Sequence, residues 1–286
     1  MALFFISLQY LPAGPLVSDQ ENNFDTGIIS GINAPSYIVQ DAQTGQEIIS
    51  RNADTPWIPG SLTKLVSILV ILDTKPNLSQ IVSMTDQDQV AGFCNTGGVC
   101  ITSAPGVDFT VDGLFHAALI PSANNAMNAL ARSTGMTTEQ FAEKMNQKVL
   151  ELGVSDMHFE EPTGMSANNQ ITAEDYTKII AAAFSNSYLR NVSTIDTYDL
   201  QSTNNSAYNQ IIQSTDELLG NPDFTILGGK TGYLNKFSGY NFGCLLRNPD
   251  GKEFIIVVLG ETSLPAAFDD TKNLAKLTIQ AGPVLS

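Results

Sequence analysis

Residues 237–260 read FSGYNFGCLLRNPDGKEFIIVVLG, and this stretch predicts an antiparallel β-hairpin. Its two β-prone runs, 237–247 and 253–260, flank the sequence NPDG at 248–251, whose residue types are typical of a turn. A shorter β-prone run at 224–228 precedes the hairpin. We therefore expect three strands in the last third of the chain.

A second hairpin is predicted near the other end, where SYIVQD at 36–41 and QEIISR at 46–51 are joined by a turn containing Thr44 and Gly45. Between these groups of strands, the spacing of apolar residues predicts helices that begin at Ser61 and near Val111 and that cover 123–133, 138–152 and 172–184, with a last helix at about 266–281. The strands are too few for two sheets. We therefore predict an α/β (α+β) fold in which both chain ends form one antiparallel sheet, flanked by helices, with a helical middle region.

The composition favours an acidic globular protein. Hydrophobic residues make up 43% of the 286 positions, and 29 Asp and Glu against 14 Lys and Arg give a formal net charge of −15. A negative field repels phosphate groups, so we expect no nucleic-acid partner and no docking on anionic lipid. The two histidines leave little room for a His-based metal site, and we predict no metal and no other cofactor.

The N-terminal stretch differs from the rest of the chain. Residues 2–17 are mostly apolar and 18–26 are polar, which predicts a leader and linker over 1–27 and a single domain over 28–286. No Lys or Arg precedes Arg51, so the leader lacks the basic start of a complete secretory signal. It is either the remainder of a trimmed export signal or membrane anchor, or a segment that packs on the domain. Membrane association is expected only through such a missing or trimmed segment.

Three cysteines bear on the redox environment. Cys94 and Cys100 bracket a glycine-containing loop, FCNTGGVC, that can be closed by a disulfide, although neighbouring cysteines of a cytosolic chain are more often unpaired. Cys244 lies in a predicted buried strand, where a free thiol behaves as a small hydrophobic group. For an exported protein we predict a Cys94–Cys100 disulfide and a free Cys244.

The sequence Ser61-Leu-Thr-Lys64 indicates nucleophilic chemistry. Positions i and i+3 share one helix face, so the Ser61 hydroxyl and the Lys64 amine are predicted neighbours. A lysine of lowered pKa can take the proton of a serine hydroxyl and make it a nucleophile. The same spacing is common on solvated helix faces, but here an almost wholly apolar run follows Lys64 and favours burial.

Two further short motifs contain groups of the same kind. Ser122-Ala-Asn124 lies between Pro121 and a predicted helix, where a hydroxyl and a carboxamide can face one cleft, although both residue types are also typical helix N-caps. In Lys230-Thr-Gly232, Lys230 and Gly232 share one strand face, and the glycine leaves room for a substrate backbone.

The order of the three motifs, on a helix, a helix-entry loop and a strand, resembles the serine D-alanyl-D-alanine carboxypeptidases, the low-molecular-mass penicillin-binding proteins of peptidase family S11. The likeness runs from about Ala34 to Gln280. It includes these stretches: SYIVQDAQTGQEI, IPGSLTKLVSILV, ALIPSANNAMNALA, FEEPTGM, ITAEDYTKII, GGKTGY, FSGYNFGCLL and FIIVVLGET. The resemblance implies a β-lactamase/transpeptidase-like fold, with residues 28–286 as the catalytic domain.

The resemblance also implies a reaction and a place for it. The substrate would be a peptidoglycan stem peptide ending in D-Ala-D-Ala, β-lactams would be covalent inhibitors, and the location would be extracytoplasmic. Ser61 would form the acyl-enzyme, with Lys64 as general base. Ser122, together with Lys230, would relay a proton to the leaving amine, and Asn124 would hold the substrate amide and Lys64.

The remaining implied contacts lie on the predicted strand that contains the third motif. Lys230 and Thr231 would bind the terminal carboxylate, with Gly232 and Tyr233 beside the substrate. The backbone N–H groups of Ser61 and Tyr233 would form the oxyanion hole.

Departures from the family pattern keep alternatives open. Ala123 stands where the family usually has glycine, Glu161 stands where it usually has asparagine, and a second Ser-Ala-Asn-Asn occurs at 166–169. A class A-like β-lactamase would use a glutamate such as Glu160 or Glu161 to activate water. We expect Glu161 instead to be structural and hydrogen-bonded to nearby backbone. A catalytically inactive peptidoglycan-binding module is the other alternative.

The residues also bear on two other assignments. Ser122 is preferred to Ser166 because an apolar helix follows it. A Ser-His-Asp hydrolase is disfavoured, since His116 lies in an apolar segment and His158 has no partner motif.

Overall fold

The computed structural model describes residues 26–280, so the predicted leader and nearly all of the linker lie outside the described residues. The helices are α1 Thr26–Ser30, α2 Thr63–Asp73, α3 Asp86–Ala91, α4 Val111–Leu119, α5 Asn124–Ser133, α6 Thr138–Glu151, α7 Ala173–Ser185, α8 Ser187–Ser193 and α9 Leu264–Gln280. The strands are β1 Ser36–Asp41, β2 Glu47–Arg51, β3 Ile81–Ser83, β4 Asp108–Thr110, β5 Thr197–Leu200, β6 Gln210–Gln213, β7 Thr225–Tyr233, β8 Tyr240–Arg247 and β9 Glu253–Glu261. Within these residues, no helix is long and apolar enough to cross a membrane.

The main sheet joins the two ends of the chain, as predicted. Its five strands lie in the order β2-β1-β9-β8-β7, with antiparallel pairs throughout. Successive side chains of β1 point to opposite faces: Tyr37 packs in the apolar cluster beneath α9, and Ile38 packs in the larger cluster with the middle helices. Both faces of the sheet are therefore covered by helices.

The strand that contains the third motif is longer than the β-prone run at 224–228. The sequence favoured a strand at 224–228, whereas β7 continues to Tyr233 because it stays paired with β8, with Tyr233 opposite Tyr240. Pairing across the sheet thus supports the glycine-rich segment, whose own β propensity is low. As a result, Lys230 lies on the edge strand β7, beyond the register shift between Ile226 and Gly228.

Helix α2 is buried on nearly every side. Its sequence TKLVSILVILD has few polar residues, and it packs against α5, α6 and α7. A helix that is apolar all round requires such surroundings. The start of α2 is therefore fixed from several directions, and this is where the first motif lies.

The cysteine predictions are confirmed. Cys94 and Cys100 form a disulfide with their Cα atoms 5.6 Å apart, and Cys244 is a free, buried thiol on β8.

Candidate active site

Ser61 lies in a short 3₁₀ turn, Gly60–Leu62, that leads directly into α2. Gly60 has a φ of 55°, and a β-carbon there would lie 2.6 Å from the backbone nitrogen of Tyr233. Only glycine permits both this backbone angle and this close approach. The turn therefore places Ser61 beside the end of β7.

Lys64 lies one turn further along and is fully buried. Its Nζ is 2.8 Å from Ser61 Oγ, 2.7 Å from Asn124 Oδ1 and 2.8 Å from the backbone oxygen of Thr163. These three contacts fix the amine between the first two motifs. The predicted proximity of the Ser61 hydroxyl and the Lys64 amine is confirmed.

Burial controls the charge on Lys64. It lowers the pKa of Lys64 well below its ordinary value, and the positive charge of Lys230 lowers it further, while Glu161 acts in the opposite direction. A neutral amine has a lone pair with which it can accept the Ser61 hydroxyl proton. The surroundings of Lys64 thus fit the role of a general base.

Ser122 and Asn124 face the same cleft and do not act as helix caps. The N-cap of α5 is Ala123, which makes no side-chain cap hydrogen bond, so the N-cap interpretation of this motif is wrong. Ser122 has a φ of 68°, and its Oγ accepts a 2.7 Å hydrogen bond from Lys230 Nζ. Ala123 has a φ of −64°, which any residue adopts, so its methyl group imposes no backbone strain.

Lys230 is the second buried amine of the site. Its Nζ donates to Ser122 Oγ and, at 3.1 Å, to the backbone oxygen of Thr231. Burial lowers the pKa of Lys230 to about 7, and the nearby carboxylate of Asp216 offsets part of this effect. Near neutral pH this amine can therefore both hold and release a proton.

The rest of the third motif packs against the turn that contains Ser61. A β-carbon on Gly232 would lie 2.3 Å from the backbone oxygen of Pro59, on the strand face that Lys230 shares, as predicted. Thr231 lies on the other face, and its Oγ1 is 2.6 Å from Thr215 Oγ1. The ring of Tyr233 stacks on Tyr240 with centroids 4.3 Å apart.

These groups line a cleft of about 200 Å³. Six predicted site residues contribute to its wall: Ser61, Ser122, Asn124, Thr231, Gly232 and Tyr233. The lining also includes four residues with large apolar side chains: Val99, Met165, Tyr240 and Leu264. The cleft thus combines two serine hydroxyls, each held by a buried amine, with an apolar wall, an arrangement suited to acyl transfer.

Glu161 is structural, as predicted. Its carboxylate accepts five hydrogen bonds, from the backbone N–H groups of Thr163, Gly164 and Ser166, the Thr163 hydroxyl and the Asn169 amide. These bonds shape the turn whose Thr163 carbonyl accepts from Lys64. Glu161 therefore supports the base indirectly, through the backbone.

Among residues 26–280, the second Ser-Ala-Asn-Asn, at 166–169, lies outside the lining of the cleft. Ser166 donates to the exposed Glu160, and Asn169 is buried against Thr63 and Glu161. The preference for Ser122 therefore agrees with the geometry.

The two histidines also lie outside the cleft lining. His116 is buried on α4 and stacks on Tyr198 at 4.0 Å, and the backbone of His158 pairs with Gln170.

Sequence reasoning missed the backbone groups of the site. The carbonyl of Thr163 holds Lys64, and the carbonyls of Gly92 and Val99 accept from the amide groups of Asn124. Because a backbone carbonyl is the same in every residue, no residue-type pattern indicates these roles. Only the tertiary fold brings the three segments together.

The chain is similar to proteins of known activity. Residues 23–263 match the sequence model of peptidase S11, D-alanyl-D-alanine carboxypeptidase. The D-alanyl-D-alanine carboxypeptidase DacB2 of Mycobacterium tuberculosis is 30% identical over 229 residues, which cover 79% of this chain and 74% of that protein. The D-alanyl-D-alanine endopeptidase of Escherichia coli K12 is 25% identical over 288 residues, which cover 100% of this chain and 90% of that protein. The crystal structure of the Streptomyces K15 DD-transpeptidase superposes with a TM-score of 0.80 at 26% identity, covering 87% of this chain and 97% of the other, and this confirms the predicted transpeptidase-like fold.

Proposed function

Because the chain belongs to the D-alanyl-D-alanine carboxypeptidase family of serine peptidases, peptidase S11, we propose that it removes the terminal D-Ala from peptidoglycan stem peptides ending in D-Ala-D-Ala. The observation that carries this proposal is the fully buried Nζ of Lys64, 2.8 Å from Ser61 Oγ beside the cleft. A neutral amine at this distance makes Ser61 a nucleophile.

In the proposed acylation, Ser61 Oγ bonds to the carbonyl carbon of the penultimate D-Ala, and its proton moves to Lys64 Nζ. The carbonyl oxygen becomes an oxyanion, which the backbone N–H groups of Ser61 and Tyr233 would stabilise. The close approach of Gly60 to the Tyr233 backbone supports this pairing of donors.

The C–N bond to the terminal D-Ala then breaks. The leaving amine takes a proton from Ser122, and Lys230 replaces that proton through the 2.7 Å contact between Nζ and Oγ. Lys230 and Thr231 would bind the terminal carboxylate, since one provides positive charge and the other a hydroxyl donor. Asn124 would hold Lys64 and the substrate amide. Water would then hydrolyse the ester: it would give a proton to Ser122, which returns its own to Lys230, and Lys64 would give its proton back to Ser61 Oγ as the ester bond breaks.

The β-lactamase alternative has little support from the site. Rapid hydrolysis of a penicilloyl ester needs a carboxylate free to hold and deprotonate a water within about 3 Å of the ester. Both oxygens of Glu161 are occupied by protein donors, and Glu160 is exposed and bonded to Ser166 and Asn168. We therefore expect a long-lived penicilloyl adduct.

An inactive peptidoglycan-binding module is also a poor fit. Burying an amine costs free energy, and binding alone gives no reason to bury two, Lys64 and Lys230, against serine hydroxyls. Catalysis does give such a reason, because each amine can move a proton at a serine.

We further propose that residues 28–286 form one catalytic domain that acts outside the cytoplasm, in the periplasm or at the outer face of the membrane. The pairing of β1 with β9 supports a single unit, and the Cys94–Cys100 disulfide fits an oxidising compartment. The acidic composition supports the absence of a nucleic-acid partner. β-Lactams would be its covalent inhibitors.

Mass spectrometry after incubation with benzylpenicillin tests the proposal. We expect one adduct, mapped to the peptide that contains Ser61 and absent from Ser61→Ala. Release of D-Ala from a D-Ala-D-Ala peptide should be much faster than hydrolysis of penicillin. The rate of cleavage of a cross-linked peptide, measured in parallel, gives the endopeptidase activity for comparison. An adduct that persists in Ser61→Ala refutes the assignment of the nucleophile.

A further inference from the structure

The loop closed by the Cys94–Cys100 disulfide and Gly92, just before it, each contact the first residue of α5. The Asn124 backbone N–H donates to the Val99 oxygen at 2.7 Å, and the Asn124 side-chain Nδ2 donates to the Gly92 oxygen at 3.2 Å. Val99 lies inside the loop that the disulfide closes, and Gly92, two residues before Cys94, packs directly against Gly98 of that loop. The loop therefore holds the backbone of Asn124, and the adjoining Gly92 holds its side chain.

The second contact sets the orientation of the amide. With Nδ2 directed to the Gly92 carbonyl, Oδ1 faces Lys64 Nζ at 2.7 Å. A flipped amide would turn its own donors towards the Lys64 amine and lose both contacts. The Gly92 carbonyl, against which the loop packs, thus selects the orientation in which Asn124 can hold the base.

The loop fits too tightly for these contacts to be incidental. A β-carbon on Gly98 would lie 2.1 Å from the Gly92 oxygen and 3.1 Å from Asn124 Nδ2. Gly98 also donates from its backbone N–H to the Phe93 oxygen at 2.9 Å. The two sides of the loop therefore fold back on each other beside Asn124, and the disulfide joins them.

The same loop is open to solvent. Both cysteines are partly exposed, and Val99 is half exposed at the rim of the cleft. On the far side, the Asn125 amide anchors Ile101 through its backbone N–H and carbonyl, at 3.1 and 2.9 Å. Opening the disulfide would therefore free residues 94–100, which lie between the end of α3 and Ile101.

We propose that the Cys94–Cys100 disulfide is a positioning element for Asn124 and makes acylation of Ser61 sensitive to reduction. A dithiol supplies two electrons and two protons, the S–S bond becomes two thiols, and the dithiol becomes a cyclic disulfide. The freed loop then withdraws the Val99 carbonyl from the Asn124 backbone and no longer packs Gly98 against the Gly92 carbonyl that holds the Asn124 side chain. The inference rests on the proposed function, since its readout is the acylation of Ser61.

The test measures the rate of acylation by a fluorescent penicillin in oxidised and dithiothreitol-reduced protein. We expect acylation about tenfold slower after reduction, the size of effect that follows from losing one or two hydrogen bonds at a reacting group, with recovery on reoxidation. The double variant Cys94→Ser/Cys100→Ser should be equally slow and insensitive to reductant. Cys244→Ala, which removes the free thiol outside the cleft lining, should behave as wild type in both redox states.

An Asn124→Ala background separates positioning from general destabilisation. If the disulfide acts through Asn124, reduction should slow this variant no further, although it starts from a lower rate. A further tenfold loss there, or loss of helical circular dichroism on reduction, overturns the inference. Equal rates in oxidised and reduced wild type also overturn it and leave the proposed function intact, whereas an oxidised protein that is never acylated overturns both.

Discussion

Replacing Glu161 by glutamine tests how far one carboxylate determines the shape of the site. The carboxylate presents two acceptor oxygens. Oε1 receives three donors, the N–H groups of Gly164 and Ser166 and the Asn169 amide, at 2.7, 3.2 and 2.9 Å. Oε2 receives the N–H and hydroxyl of Thr163 at 2.7 and 2.5 Å. Glutamine has only one carbonyl oxygen, so it can serve only one of these two sets.

The smallest loss occurs when the amide nitrogen replaces Oε2. The Thr163 hydroxyl can then rotate and accept, but the Thr163 N–H faces another donor and is left without a partner, at a cost of about 1–3 kcal/mol. The three bonds at Oε1 also change from charged to neutral acceptors, which are roughly half as strong. We expect Glu161→Gln to lower the free energy of unfolding by about 3 kcal/mol, or the thermal midpoint by roughly 6–12 °C.

Thermal unfolding followed by circular dichroism measures this change, and Glu160→Gln is the matched control. Glu160 is the adjacent acid, and its bonds to Ser166 and Asn168 are exposed. The control should have the same thermal midpoint as wild type. Acylation by penicillin should also slow in Glu161→Gln, because the Thr163 carbonyl holds Lys64. A Glu161→Gln midpoint within two degrees of wild type, on the order of the experimental scatter, would refute the argument from hydrogen bonds.

Three further expectations concern titratable groups. Lys64→Ala should slow acylation by about a thousandfold with unchanged circular dichroism, because the base is lost; a near wild-type rate would show that another base acts. The pKa of Lys230 is about 7, so the amine loses its charge as the pH rises above that value, and kcat/KM for a D-Ala-D-Ala peptide should fall. A pH profile of kcat/KM that stays flat to pH 9, roughly two units higher, would contradict this. Burial raises the pKa of Asp270 from 3.8 to about 6, with Glu261 adding to the effect, so the folded chain binds this proton more tightly and stability falls as the pH rises through that interval. Asp270→Asn keeps an acceptor for the Ala34 N–H but cannot titrate, so its thermal midpoint should no longer fall over this pH interval. If the midpoint of the variant still falls as in wild type, other groups cause the pH dependence.

The sequence predicted the long, strongly patterned elements better than the short ones. The helices α4 to α7 and α9 and the hairpins of the main sheet follow from periodic apolar residues and turn residues. The strands β3 to β6 were not predicted, because they have three or four residues each and pair only with one another, β3 with β4 and β5 with β6. Such short segments contain too few residues to show a period.

Within the site, residue types predicted which side chains take part, but not the long-range contacts and backbone carbonyls that hold them. Ser61 and Lys64 lie one helical turn apart, so their contact followed from local geometry. The pairing of Lys230 with Ser122 joins segments far apart in the chain, and only the resemblance to a family suggested it. The Thr163 carbonyl was not predicted at all, because its position depends on the turn formed around Glu161.

The strand order has a consequence for how the chain folds during synthesis. Strand β1 is made early, yet its partner β9 comes near the end, with Tyr37 opposite Val258. At ribosomal rates of roughly 5–20 residues per second, the β1–β2 hairpin waits on the order of 10–40 s with one apolar edge unpaired. Such distant pairing also slows folding itself. The order β2-β1-β9-β8-β7 further means that a chain stopped before β9 does not lose an outer strand: its sheet is divided into two separate hairpins.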